Sequence, residues 1–197
     1  MAKRRVMGRI EAALSAPGTG PTIRRYFVNT MFDSTSVMLG IIVGSAFSSH
    51  PNISVVISTI VVSAVALGIS TGVSVFEAES IEQSRRIDEI EKAMLRSLEG
   101  THIEKVSKWS IVIIAFINFL APLTSGIVTV SPFAFLPELG IQTDAWIGVG
   151  LSIFLLFLTG FFMGRNRGRN PLVQAIRMAV VGLAVFVVCF YVQSIVV

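Results

Sequence analysis

The sequence reads as an all-α integral membrane protein, with five transmembrane helices and a cytoplasmic helical hairpin. Its residues are 53% hydrophobic and only 14% charged, against roughly a quarter charged in an ordinary soluble domain. The mean hydropathy is +0.76, and the apolar residues come in runs long enough to cross a bilayer. About 20 such residues are needed for a hydrocarbon core of about 30 Å. Lipid-exposed strands are ruled out for these runs, because an open sheet edge leaves backbone groups unpaired in lipid.

The expected spans are Phe27–Ser49, Ile53–Phe76, Trp109–Ser131, Ala145–Gly164 and Leu172–Val197. All sixteen Lys and Arg residues fall in three places: before the first span, between the second and third, and from Arg165 to Arg177. The segments around His50–Asn52 and Pro132–Asp144 hold none. The positive-inside rule puts all three basic segments in the cytoplasm and the C-terminus on the far side. The net charge of +4 is thus a topological signature, and no nucleic-acid partner is needed to explain it. The organisation expected is a cytoplasmic segment 1–23, helices one and two over 24–76, a charged hairpin over 77–108, and helices three to five over 109–197.

Within 1–23, Val6, Ile10 and Leu14 fall on one face of a basic amphipathic helix suited to the membrane surface. Pro17, Gly18, Gly20 and Pro21 break it from the first span. No apolar stretch there is long enough for a signal peptide, which points to the cell membrane. The first span carries Ser36, Gly40, Gly44 and Ser48, and the second Ala64, Gly68 and Gly72. Small residues every fourth position make flat strips on which another helix can approach closely. That helix could belong to the same chain or to a second copy.

No Gly or Pro interrupts 73–99. Ile87, Ile90, Met94 and Leu98 make an apolar stripe there, so the second helix is expected to run on as an arm until Gly100. Thr101-His-Ile-Glu104 has the form of a capping box opening the next helix. Pro122 should kink the third span near Asn118, and Ser131-Pro132 should close it. Asp144 is placed to cap the fourth helix, and Asn170-Pro171 to open the fifth.

Few residues can carry chemistry. The apolar stretch after Asp33, 34–49, is short for a bilayer, so an earlier helix start would carry this acid into the membrane. A membrane-embedded acid costs about 2.5–3.5 kcal/mol at mid-depth and marks function; alternatively Asp33 is only a helix cap. The hairpin holds Glu77, Glu79, Glu82, Asp88, Glu89, Glu91, Glu99 and Glu104. Clustered carboxylates suit divalent cations, yet Glu82–Arg86, Arg85–Glu89 and Asp88–Lys92 also have the i,i+4 spacing of a solvated helix. Cys189 is single, and His50 and His102 are isolated, so no disulfide, cysteine metal site or catalytic dyad is indicated. No HExxH, GxSxG or phosphate loop occurs, so no enzyme activity is expected.

These motifs resemble a family, the vacuolar iron transporters. Phe32-Asp33-Ser-Thr is similar to that family's Asp-Gly-Leu-Thr opening. Ala66-Leu-Gly-Ile-Ser-Thr-Gly72, with Phe76 and Glu82, resembles its Ala-Ile-Ser-Met-Gly…Tyr…Glu motif. The stretch 164–178 resembles its Gly-x-Asn-Pro…Leu-Arg-Met junction. The resemblance implies export of Fe²⁺ or Mn²⁺ from the cytoplasm in exchange for protons, through a pore at a homodimer interface. The divalent metal is then the transported substrate, and no resident cofactor is expected. By that resemblance Asp33 is the pore acid, and Glu82 a glutamate that collects the ion; Glu77, Glu79 and Glu89 are the collecting candidates beside it. The chain departs from the family pattern at Thr71, where a methionine is usual, and at Ser63, where a glutamate is. Its segment between the second and third spans is also shorter. The competing reading is a non-transporting membrane scaffold whose hairpin binds a partner through Ile87, Ile90 and Met94.

Overall fold

A computed structural model describes residues 18–135, 140–166 and 170–196. The expected surface helix at Val6, Ile10 and Leu14 lies outside them. Five α-helices make up the fold: α1 (Thr19–Ala46), α2 (Ile53–Met94), α3 (His102–Phe135), α4 (Ile141–Asn166) and α5 (Pro171–Val196). All five are long and apolar enough to cross a membrane, and no strand occurs among the described residues. The chain is a multi-pass membrane protein.

Helix α1 begins earlier than its apolar stretch. Gly18 takes a positive φ of 97°, and its carbonyl accepts from Thr22 N. Pro21 then falls in the first turn, where its missing N–H is no loss. At α2 the Asn52 carboxamide oxygen accepts from Ser54 N at 2.9 Å, a side-chain cap. Asn170 precedes α5 as expected, its carbonyl accepting from Gln174 N.

Helix α2 is 42 residues long and continues past its apolar part as the expected arm. It stops at Met94, earlier than Gly100. Leu95 adopts the left-handed conformation (φ 50°), and Arg96 N bonds back to Glu91 O at 3.3 Å. That is a Schellman ending with leucine in glycine's usual place. The Glu91 carboxylate completes the stop by accepting from Leu98 N at 2.6 Å and Ser97 Oγ at 3.3 Å. Leu98 therefore leaves the helical stripe and is buried in the turn. The capping box is displaced too: Glu104 reaches Gly100 N at 2.7 Å, while the Thr101 hydroxyl donates to Leu98 O.

Helix α3 runs through both Pro122 and Pro132 to Phe135, so Ser131-Pro132 does not close it. The reason is local. Pro132 has no N–H for the Val128 carbonyl, and the Ser131 hydroxyl supplies the donor at 2.7 Å instead.

The described chain forms two compact units. In one, built from 18–27 and 69–119, Ile23 and Tyr26 pack on Val75, Ile114 and Ala115. Asn118 Nδ2 there donates to Thr71 O at 3.3 Å, and a Cβ on Gly72 would lie 3.2 Å from Phe119. In the other, built from 28–68 and 120–196, the core joins Met38, Leu39, Ile42 and Val43 to Val56, Ile60, Phe133, Val149 and Phe186. Gly126 lets α3 close on Ala64 of α2, and a Cβ on Gly160 would meet Gln174 O of α5 at 2.7 Å. The second helix's small-residue strip is thus spent within the chain. Gly40 and Gly44 of the first strip likewise look toward Cys189 and Gln193 of α5.

Candidate functional site

Because α1 starts at Thr19, Asp33 stands in mid-helix and is not its cap. The side chain is exposed, and Asn29, one turn earlier, donates from Nδ2 to Asp33 Oδ2 at 3.3 Å. The opposite side of α1 is committed to packing. Met31, Ser34 and Thr35 are buried; Thr35 Oγ1 donates to Met31 O at 2.7 Å and lies 3.0 Å from Ser125 Oγ of α3. The Met31 sulfur, the soft ligand nearest Asp33 in sequence, accepts from the Thr124 hydroxyl at 3.4 Å. Its burial keeps it off the exposed face that carries the carboxylate.

The hairpin carboxylates divide by role. Glu79 is only 4% exposed and accepts a hydrogen bond from the Tyr26 hydroxyl. The Arg25 guanidinium lies over the Tyr26 ring, 5.1 Å from its centroid. Glu91 and Glu104 hold the turn between α2 and α3, with Glu104 also paired to Lys108 at 2.6 Å. Glu77, Glu82, Asp88, Glu89 and Glu99 are exposed. The anticipated pairs Glu82–Arg86, Arg85–Glu89 and Asp88–Lys92 are not closed; Glu104–Lys108 is the ion pair among the described residues. Exposed pairs of this kind gain about 0–1 kcal/mol and lose side-chain freedom, so they need not form.

Of the sequence candidates, then, Asp33 is presented on an exposed face of its own unit. Glu77, Glu82 and Glu89 project from the arm, and Glu79 is turned inward to Tyr26. The structure does not bring them into one cluster: among the described residues no three His, Cys, Asp or Glu side chains converge as a metal-binding group. Glu82 and Glu89, seven residues apart, do share one face of α2.

One acid was misread from sequence. Asp144 does not cap α4: the helix already starts at Ile141, and Gly140, at a positive φ of 89°, offers the carbonyl that accepts from Thr143 N and Asp144 N. The Asp144 side chain is fully buried, and among the described residues neither carboxylate oxygen has a hydrogen-bond partner. Its position next to a helix start made capping the natural expectation. The only signal to the contrary was its i,i+4,i+8 alignment with Gly148 and Ser152.

Comparison with known proteins gives a family match and a relative. Residues 76–194, more than half of the chain, match the model of the VIT family. An uncharacterised protein of Methanocaldococcus jannaschii, MJ0645, is 28% identical over 178 residues, covering 89% of this chain and 91% of the relative. The family match opens at Phe76, so Asp33 precedes it.

Proposed function

From the premise that the chain belongs to the VIT family, the vacuolar iron transporters, we propose that it carries Fe²⁺ or Mn²⁺ out of the cytoplasm in exchange for protons, as a homodimer in the cell membrane. The observation that carries this reading is Asp33. A carboxylate in the middle of an apolar helix, on a face the single chain leaves open, is costly against lipid. A second copy supplying an aqueous, ion-binding face would remove that cost. Oxygen ligands suit the borderline ions Fe²⁺ and Mn²⁺, and the open carboxylates of Glu77, Glu82 and Glu89 suit a loosely held, exchangeable cation on the arm. Glu79 contributes by fixing the arm to Tyr26, in place of the collecting role its sequence position suggests.

No soft ligand stands at Thr71, and a pore ligated by oxygen alone favours Mn²⁺ and Fe²⁺ over the softer Cu⁺. The orientation that serves export puts the arm and the N-terminal side in the cytoplasm, in line with the distribution of Lys and Arg.

Uptake of Fe²⁺ or Mn²⁺ into proteoliposomes holding the purified protein, with and without a pH gradient, tests the reading. Metal accumulation that follows the gradient is the expected result. No accumulation with either ion overturns it in favour of the scaffold reading.

A further inference from the structure

The buried polar groups that this reading leaves unused run along one face of α4. Asp144, Gly148 and Ser152 recur every fourth residue and so stack on one side of the helix. A Cβ on Gly148 would meet Ile42 of α1, Phe133 of α3 and the Thr129 carbonyl, which identifies the helices covering that side. Ser152 is completely buried. Its hydroxyl lies 2.8 Å from Gly148 O and 3.2 Å from Thr129 Oγ1, and in the latter contact either oxygen can donate. One turn along α3, Ser125 makes a second buried contact between hydroxyl groups, with Thr35 of α1 at 3.0 Å. Buried hydroxyl oxygens thus continue inward from the helix start where Asp144 sits.

Asp144 is the acid at the head of this line. It is 0% exposed within one chain, so neither lipid nor a second copy can reach it. No described residue hydrogen-bonds its carboxylate oxygens. One turn along the same face, the surfaces beside Gly148 are Ile42 of α1 and Phe133 and Thr129 of α3, none of them titratable.

A bare carboxylate in such surroundings needs a positive partner or a proton. A divalent cation would need several more oxygen ligands, and among the described residues no three His, Cys, Asp or Glu side chains converge as a metal-binding group. A proton needs one oxygen only. We propose that Asp144 is a proton-binding site, where the exchanged proton is taken up within a protomer, separately from the exposed carboxylate of Asp33. The proton resides on one Asp144 oxygen as a neutral acid and leaves it as the carboxylate.

The coupling half of this proposal rests on the transport reading; the binding half does not, and the experiment separates them. Infrared spectra of the full-length protein in detergent are compared with those of Asp144→Asn at neutral pH. The expected result is a neutral-acid carbonyl stretch in the wild type that the variant lacks. Identical spectra overturn the site. If the variant does not fold, Asp144→Glu decides: a neutral-acid carbonyl stretch that changes frequency in this variant supports the site, and a band unchanged from wild type overturns it. In proteoliposomes, Asp144→Asn should lose the stimulation of metal flux by a pH gradient, falling to the level seen with no gradient. Stimulation equal to wild type overturns the coupling role. A wild type with no metal flux under any condition removes the transport reading and the coupling with it, and the infrared result still decides whether Asp144 holds a proton.

Discussion

Asn29 Nδ2 donates to Asp33 Oδ2 at 3.3 Å across one turn of α1, and this contact is the only hydrogen bond of the Asp33 side chain among the described residues. A carboxylate held by one neutral donor keeps most of its lone pairs free for a cation. Asp33→Asn preserves shape and removes charge, so metal flux in vesicles should fall to the protein-free background. Thermal stability should hold or rise, because an unpaired acid near lipid is a cost to the fold. Flux equal to wild type would remove Asp33 from the path. Asn29→Ala should lower flux only modestly, since it orients the acid without supplying charge.

The glutamates of the arm should separate into two groups. Glu77, Glu82 and Glu89 are exposed, so their joint replacement by Gln should weaken Mn²⁺ binding in calorimetry while leaving the melting temperature unchanged within error. Glu79→Gln exchanges a charged acceptor for a neutral one opposite Tyr26. Bonds to charged groups contribute about 1.5–3 kcal/mol, so this variant should melt earlier and bind metal as before. A Glu79→Gln protein that keeps its stability and loses metal would reverse the two roles.

The turn after α2 gives a test that does not depend on transport. Leu95 holds a left-handed conformation that costs an ordinary residue about 1–2 kcal/mol, and it is almost fully exposed, so little packing is lost on its removal. Leu95→Gly should therefore raise the melting temperature. Glu91→Ala should lower it, by about 1–3 kcal/mol of stability, because Leu98 N loses its acceptor. Opposite signs for the two substitutions are the expected signature in a thermal melt.

That turn also shows where the sequence was legible and where it was not. The five helices and the long arm follow from hydropathy and from the absence of Gly and Pro between Gly72 and Gly100, features written in every residue of the segment. The stops were misplaced because single side chains decide them. Glu91 ends α2 before Gly100 is reached, and Ser131 carries α3 across Pro132 by satisfying the Val128 carbonyl. For the site, an acid within α1 was visible from the shortness of the apolar stretch after it. The inward turn of Glu79 was not, since its partner Tyr26 lies 53 positions away in sequence. Asp144 was misread for a related reason, as only tertiary packing distinguishes a cap from a buried acid one turn inside a helix.

Orientation can be tested independently. A reporter fused after Val197 should read as non-cytoplasmic, and one inserted after Gly100 as cytoplasmic, since all sixteen basic residues lie on segments assigned to one side. The same compartment for both would contradict an odd number of spans. Reversed compartments would turn export into import.

The homodimer requires its own prediction, because the glycine strip of α1 does not provide one. Gly40 and Gly44 look toward α5 of the same chain, so Gly→Leu at either would disturb intramolecular packing and say little about a second copy. Val37 is the better probe. It lies one turn beyond Asp33 on the same side of α1, and 43% of it is exposed. If Asp33 faces a partner across a pore, the two copies of residue 37 lie near the two-fold axis of an isologous contact. A Val37→Cys protein in a Cys189→Ser background, which removes the chain's one native cysteine, should cross-link into a dimer under mild oxidation in membranes. Cysteine at Val180, an exposed position on α5, should not cross-link, because lipid should cover it. Divalent metal should slow the cross-linking at position 37 if the ion occupies the space beside Asp33. Cross-linking at position 180 in place of 37 would put the interface on α5, and Asp33 would then require a partner other than a second copy of this chain.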